Sequence, residues 1–191
     1  KVYLPALAQL RPTMDWLDAA LQGGQLTNSG FVMRLSSGPG GTSDTTNSWY
    51  HVSGGRLQFE PAWQPLENIS AGVVVRDDRV DVVANQSRIG GIDLDPGVKA
   101  MVRKEPAGGS MVRIRGAAST DTATGLAFLR NSPLRSQTGD FMDNWTASGN
   151  LDADIVMALP IGADPDPQQV SVNVKSAGSN LFMPPSNNVC T

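Results

Sequence analysis

The sequence predicts a mainly β protein organised around one antiparallel meander, and two observations support this fold class. Between Gly54 and Gly116, apolar and polar residues alternate in about six short runs. A period of two is typical of strands that bury one face and expose the other. Turn-forming residues such as Gly90-Gly91 and Asp95-Pro96-Gly97 separate the runs. We therefore expect a sheet with one continuous apolar face.

The first half of the chain predicts three stretches before this meander. Residues 1–35 predict a helix that begins at Pro12 and ends at Gly23-Gly24, followed by a strand over residues 25–35. Residues 36–53 predict a polar loop, because the run up to position 48 is rich in Gly, Ser and Thr and poor in apolar residues. Residues 54–116 form the predicted central β module.

After Gly116 the apolar period changes from two to about 3.6, which predicts a helical connection over residues 117–147. Ser119 or Thr120 is the expected N-cap, and Pro133 is expected to break the helix. Residues 148–191 predict the start of a further β module. It contains one long strand around 151–159 and two shorter strands around 170–174 and 181–183.

The chain contains an internal repeat. The stretch from Gly24 to Leu35 resembles the stretch from Gly149 to Leu159, and each follows a predicted short helix that carries a tryptophan, Trp16 or Trp145. Repetition of one helix-and-strand unit is typical of modular, extended proteins. We interpret the chain as a fragment of a longer array.

Composition excludes several classes of protein. The 191 residues carry a net charge of −3 with a pI near 5.0, which is not the basic balance that nucleic-acid binding requires. A single cysteine, Cys190, rules out an internal disulfide framework. No apolar run approaches the ~18 residues that a membrane helix needs. Any membrane or targeting segment is expected to lie outside this piece of the protein.

Catalytic and metal-binding patterns are nearly absent, so the sequence predicts no enzyme, no metal site and no cofactor. His51 is the single histidine and lies in loop-like sequence. Three pairs of aspartates have a spacing of two, which also describes the wet face of a strand. These pairs are Asp93 with Asp95, Asp152 with Asp154, and Asp164 with Asp166.

The apolar face of the sheet is the remaining candidate for function, and periodicity leaves two interpretations open. A sheet that curls into a trough would expose this face to an apolar ligand such as an acyl chain, whereas a closed β-sandwich would bury it as an ordinary core. The second interpretation favours a carbohydrate-binding or adhesive module with Trp49, Tyr50 and Trp63 as a stacking platform. A glycosidase that uses two of the aspartates is a third alternative.

Several motifs resemble the YhdP family, the large AsmA-like proteins of Gram-negative envelopes. The resemblance rests on the run Gly55-Arg56-Leu57-Gln58-Phe59-Glu60-Pro61-Ala62-Trp63, on Trp16-Leu17-Asp18 with Gly23-Gly24, on Arg88-Ile89-Gly90-Gly91, and on Phe128-Leu129-Arg130-Asn131-Ser132-Pro133-Leu134. It covers most of the chain. Ala62 and Gln64 depart from the family pattern, and the polar loop takes the place of a strand that the family would have there.

This resemblance implies an inner-membrane-anchored protein that crosses the periplasm as a long, taco-like β-sheet with an apolar interior. It also implies a non-enzymatic role in moving phospholipid between the inner and outer membranes. The membrane anchor would lie outside this fragment. On this interpretation phospholipid is the partner, the two membranes lie at the ends of the full-length protein, and nucleic acid is not a partner.

The residues that we expect on the lipid-facing surface are the apolar members of the alternating runs. They are Leu57, Phe59, Val73, Val75, Val80, Val82, Ile92, Leu94, Val98, Val102, Val112, Ile114, Leu151, Ile155, Met157, Val170, Val172 and Val174.

Overall fold

The computed structural model describes residues 19–34, 45–76, 79–105, 109–138, 142–161 and 169–183. In these ranges nine strands form one sheet, and two helices connect its seventh and eighth strands. The strands are β1 (Leu21–Arg34), β2 (Thr45–Leu57), β3 (Leu66–Arg76), β4 (Arg79–Ile89), β5 (Ile92–Asp93), β6 (Val98–Lys104), β7 (Ser110–Asp121), β8 (Thr146–Ile161) and β9 (Gln169–Phe182). The helices are α1 (Thr122–Arg130) and α2 (Arg135–Thr138).

The sheet is an antiparallel meander, as the alternation predicts. Its strand order is β1-β2-β3-β4-β6-β7-β8-β9, and the two-residue β5 pairs with β4 beside this path. The sheet curls into a groove and does not close into a barrel. Within the described part of the chain, β1 and β9 are therefore its two edge strands.

Strand register divides the sheet into two faces. Val75, Val80, Val102, Val112 and Leu159 lie directly opposite one another on five successive strands of this path, from β3 to β8. Because successive side chains on a strand point to opposite faces, this row defines one side of the whole sheet. We call the side that carries this row the inner face, and the opposite side the outer face.

The connections between strands lie at two ends of the groove. The β2–β3 connection, the turns between β4 and β6, and both helices lie at one end, which we call the cap end. The β3–β4 and β6–β7 hairpins lie at the other. This arrangement follows from the meander itself, since every second connection returns to the same end of the sheet.

Helix α1 begins after Asp121, one residue beyond the later of its two expected N-caps. Asp121 is the N-cap of α1, and its carboxylate accepts hydrogen bonds from the backbone N–H and the hydroxyl of Thr124, at 2.8 and 2.6 Å. Ser119 and Thr120 were the expected caps, but both belong to β7, which continues to Asp121. Their pairing with β8 extends that strand beyond the point where the apolar period changes.

The predicted polar loop over residues 36–53 is wrong in its second half. β2 begins at Thr45 and pairs with β1 on one side and β3 on the other. Threonine and aromatic residues fit a pleated sheet well, and pairing on both sides satisfies the backbone of this polar segment. His51 therefore lies in a strand rather than in a loop. Positions 36–44 of the predicted loop lie outside the described residues.

Two further boundaries differ from the prediction. Leu21 to Gly24, expected at the end of a helix, belong to β1; the helix itself falls mostly outside the described residues. The two short strands expected around 170–174 and 181–183 are the single strand β9. Gly178, with φ +77°, allows β9 to continue through an irregularity in its pairing with β8.

Candidate functional site

The inner face is a continuous apolar surface that crosses the groove from strand to strand. Beside the valine row, a second row joins Val73, Val82, Ala100, Ile114 and Met157, and ends at Val170 on β9. A third row begins with Ala71, Ala84 and Val98. Apolar contacts lack directional hydrogen bonds, so such a surface suits a ligand that is itself a hydrocarbon.

Burial varies across this face. In the valine row, Val80, Val102 and Val112 are 6%, 6% and 4% exposed, and they belong to one connected apolar cluster. Residues of the second row, such as Val82 and Ile114, are half-buried and pack against that cluster. On β9 the face opens, since Val172 and Val174 are 40% and 55% exposed. The accessible part of the inner face therefore consists of the half-buried residues of the second row and the exposed valines of β9, Val172 and Val174.

Fourteen of the eighteen predicted lipid-facing residues lie on the inner face. They are Val73, Val75, Val80, Val82, Val98, Val102, Val112, Ile114, Leu151, Ile155, Met157, Val170, Val172 and Val174. Register brings these positions together from six strands. Their contact with lipid remains a prediction.

The other four predicted residues lie at the cap end, beyond or at the ends of the long strands. Leu57 is the last residue of β2, and Phe59 follows it in the β2–β3 connection. Ile92 belongs to β5, and Leu94 makes an isolated bridge with Ala118. Phe59 and Ile92 are each 7% exposed. These four residues belong to the structure that covers the cap end of the groove.

An aromatic cluster lies at the centre of this cap. The ring centroids of Phe59 and Trp63 are 6.0 Å apart, and those of Trp63 and Phe128 are 6.2 Å apart. The Gln58 amide donates hydrogen bonds to the carbonyls of Glu60 and Trp63, at 2.8 and 2.6 Å, which hold the β2–β3 connection in place. Phe59, Trp63 and Phe128, which we call the cap cluster, thus join that connection to α1.

Helix α1 lies over the inner face at the same end. A Cβ added at Gly125 would approach Leu151 Cδ2 to 2.8 Å, so the glycine permits close contact between α1 and β8. Arg130 at the end of α1 donates hydrogen bonds to the Met142 carbonyl, at 2.6 Å from Nη2. The helix is thereby tied to the segment that leads into β8. The inner face is therefore bounded by the cap at this end and by the β3–β4 and β6–β7 hairpins at the other.

The outer face carries charged side chains together with exposed apolar residues such as Val83, Met101 and Val156. Lys99 and Arg115 lie directly opposite each other on β6 and β7, and Asp152 lies opposite Lys175 on β8 and β9. Arg79 forms an ion pair with Asp81 at 3.0 Å. Asp152 and Asp154 are exposed on this face. Their spacing of two is therefore that of alternate residues on the solvent-exposed side of a strand. Charged side chains thus distinguish the outer face from the rows of the inner face, which contain none.

The predicted stacking platform of Trp49, Tyr50 and Trp63 does not form. Trp49 and Tyr50 are neighbours on β2 and therefore point to opposite faces, with Trp49 on the outer face. Trp63 is 7% exposed within the cap cluster. The single sheet also contradicts a β-sandwich, because no second sheet packs against the inner face in the described ranges.

His51 and Asp93, two of the titratable residues that the sequence singles out, each have a polar neighbour. His51 Nε2 lies 3.5 Å from Ser70 Oγ. Asp93 forms an ion pair with Arg88 at 3.3 Å. Among the described residues, no cluster of three or more histidine, cysteine, aspartate or glutamate side chains is placed to bind a metal. Asp164, Asp166 and Cys190 lie outside those residues.

The helices of the described part are all too short or too polar to cross a bilayer.

The fold and the inner face together define a β-groove protein with an apolar lining. A family model described as YhdP protein matches residues 1–189, and the chain belongs to the YhdP family. This is a lipid transport family associated with the periplasm. Searches among curated proteins and among solved structures returned no match.

Sequence reasoning missed most of the cap. Trp63 and Phe128 support the family resemblance, but the sequence does not assign them to a common cluster. Leu134 belongs to the same family motif as Phe128 and Leu126 to the predicted helix, and neither is predicted as part of a cap. Their spacing within one connection or helix carries no information about a partner across the groove. The buried alanines Ala71 and Ala84 were part of the alternation and were detectable there.

Proposed function

We propose that the inner face binds the acyl chains of phospholipids and forms one segment of a path for lipid between the inner and outer membranes. The observation that supports this most directly is the unbroken apolar surface from β3 to β9, which lies on a sheet with a charged outer face. Acyl chains lie along the half-buried second row and the exposed valines of β9, while head groups stay in water at the mouth of the groove.

The energetics favour a long hydrocarbon ligand. Burial of each methylene contributes about 0.8 kcal/mol, so contact along even part of an acyl chain gives useful affinity. The lining offers valine, alanine, isoleucine and methionine side chains without a charged group in the second row. Selectivity among phospholipids is weak because these contacts are not directional. Movement is diffusion along the surface, which needs no catalytic residue.

The test compares a charge on the inner face with the same charge on the outer face. Val82 is half-buried in the second row, and its neighbour Val83 is 41% exposed on the outer face. We expect Val82→Asp to lower bound lipid at least about tenfold, since a carboxylate is costly to place against hydrocarbon. Val83→Asp retains wild-type lipid. The measurement is native mass spectrometry followed by organic extraction and lipid analysis.

Circular dichroism and thermal unfolding of both variants establish that the fold is kept. A folded Val82→Asp protein that carries as much phospholipid as wild type would overturn the proposal. So would a wild-type protein that takes up no lipid from vesicles of phosphatidylethanolamine and phosphatidylglycerol. Transfer of fluorescent phospholipid between two vesicle populations then distinguishes a conducting segment from a static lipid-binding site.

A further inference from the structure

Four residues of the outer face form one row across four neighbouring strands. Val83 of β4 lies opposite Lys99 of β6, and Lys99 lies opposite Arg115 of β7. Arg115 in turn lies opposite Val156 of β8. All four side chains are exposed, and the two valines are 41% and 44% exposed. We call these four residues the outer row, which places two adjacent cations between two exposed valines.

The two cations of the outer row have no partner in the described part of the chain. Neither Lys99 nor Arg115 takes part in an ion pair or a hydrogen bond there. Arg113, two residues before Arg115 on the same face, forms an ion pair with Glu105 at 3.2 Å. The outer row therefore differs from its immediate neighbour on β7, whose charge is already matched within the fold.

The carboxylates around the outer row do not neutralise it at contact distance. Asp81 is shared by Arg76 and Arg79, which both form ion pairs with it. Asp154 is exposed on the same face of β8, two residues before Val156, and forms no ion pair among the described residues. The outer row thus leaves its two positive charges available to a group from outside the described fold.

The outer row does not serve the stability of the sheet. Like charges that lie directly opposite each other on neighbouring strands destabilise the pairing. An opposite-charge pair at Lys99 and Arg115 would stabilise the same two strands, and the flanking valines gain little from burial because they are exposed. Residues that reduce stability without an internal use are typical of a binding surface.

We propose that the outer row binds an acidic segment of a partner protein. Carboxylates of this segment contact Lys99 and Arg115, and its apolar side chains pack on Val83 and Val156. The argument is charge complementarity, combined with apolar residues on both sides of the unpaired cations. Because the row lies on the outer face, this inference does not depend on what the inner face binds.

The dimensions of the row favour a protein segment over an anionic bilayer. Strands in a sheet lie about 4.8 Å apart, so four strands give a row about 14 Å long. A segment of this width contacts the two cations and avoids Asp154. A broad anionic surface would meet Asp152 and Asp154 on the same face, and both are exposed carboxylates.

An NMR titration of the full ¹⁵N-labelled chain tests the proposal. The probe is a synthetic acidic peptide of three Val-Glu-Glu-Val repeats, and the control peptide has glutamine in place of every glutamate. We expect the acidic peptide to bind with a Kd of about 0.1 to 1 mM, because exposed ion pairs contribute modestly. The largest shift changes are expected at positions 82–84, 98–100, 114–116 and 155–157.

A matched pair of double variants separates the outer row from net charge. We expect Lys99→Gln with Arg115→Gln to raise the Kd at least about fivefold. Arg56→Gln with Arg88→Gln removes the same charge from two arginines that already have carboxylate partners, Glu67 and Asp93. This control is expected to change the Kd by less than about twofold.

Charge reversal tests the conflict between binding and stability. Lys99→Glu creates an opposite-charge pair with Arg115, so we expect the Tm to rise by about 1 to 3 °C. The same variant is expected to lose measurable binding of the acidic peptide. A fall in the Tm would show that the cation pair serves the fold and would contradict the inference.

Four further results would overturn the proposal. They are the absence of acidic-peptide binding below 1 mM, equal affinity for the glutamine peptide, shift changes confined to the edge strands, and equal effects of the two double variants. Phosphatidylglycerol vesicles and sedimentation velocity test the competing occupants. Vesicle binding or a dimer that is lost with Lys99→Gln and Arg115→Gln, while peptide binding is kept, would assign the row to a lipid surface or to a second copy instead.

Discussion

At the scale of single residues, Gly90 shows how tightly the cap end is built. It has φ +56°, and a Cβ added there would lie 2.6 Å from Phe128 Cδ2 and 2.8 Å from Gln64 Oε1. The adjacent Gly91 has φ +86° and no atom within 4 Å of an added Cβ. Both residues adopt a left-handed backbone, but Gly90 alone of this pair is also enclosed by the cap.

Alanine at these two positions separates backbone strain from steric clash. We expect Gly91→Ala to cost about 1 kcal/mol from the left-handed conformation. Gly90→Ala adds a clash that costs about 1 to 3 kcal/mol more. Chemical denaturation of both variants measures the difference. Equal losses for the two variants would show that the cap moves freely away from the turn.

Residue identity predicts the two faces of the central strands well. Val80 and Val82 alternate with Asp81 and Val83, and the structure puts the first two on the inner face. Phe59 was assigned to a strand by the same alternation but lies in the connection after β2. A strand and the start of a compact loop share the same local pattern, and the cap cluster across the groove decides between them.

At the scale of elements, the cap is a connection and a helix held together by aromatic contacts. Trp63 is buried between Phe59 and Phe128, while Trp49 is 43% exposed on the outer face of β2. We expect Trp63→Ala to lower the free energy of unfolding by about 3 to 5 kcal/mol. Trp49→Ala is the control and costs about 1 kcal/mol or less.

Chemical denaturation followed by circular dichroism measures both losses, since each variant removes a fluorophore. A larger loss for Trp49→Ala than for Trp63→Ala would contradict the assignment of Trp63 to the cap cluster.

Helix α1 carries a pH-dependent N-cap. Hydrogen bonds from the Thr124 side chain and then its backbone N–H lower the pKa of Asp121 below its ordinary 3.8. A carboxyl group with a depressed pKa stabilises the folded state above that ordinary value, and the contribution is lost as pH falls through the folded-state pKa. We expect wild type to lose stability relative to Asp121→Asn below about pH 4, because the amide caps without titrating.

Thermal unfolding of the two proteins between pH 6 and pH 3 checks this difference. Parallel pH profiles for wild type and Asp121→Asn would show that the cap carboxylate does not contribute to the acid sensitivity of the fold.

At the scale of the whole molecule, the central strands of the sheet are paired on both sides, whereas the two edge strands are paired on one side in the described ranges. β4, β6 and β7 have neighbours on both sides and carry the buried valine row. β1 and β9 have one neighbour each in the described ranges, and most of their described side chains are exposed. Local stability is expected to follow this difference, since local opening needs fewer contacts to be broken at an edge.

Hydrogen exchange measured by mass spectrometry tests this gradient. We expect peptides from β6 and β7 to exchange at least about tenfold more slowly than peptides from β9. Uniform protection across the sheet would indicate that the β9 edge is covered in solution.

The sequence by itself determined the meander, the inner-facing positions of its central strands, the repeat and the YhdP family. These are local or periodic signals, carried by alternation and turn residues such as Gly90-Gly91. The tertiary structure decided that residues 45–53 form a strand, that β9 is continuous and which residues form the cap. β2 is a strand because β1 and β3 pair with its backbone, and Trp63 and Phe128 form one cluster because the meander returns their elements to the same end. Contacts between residues so far apart in the chain leave no period in the sequence.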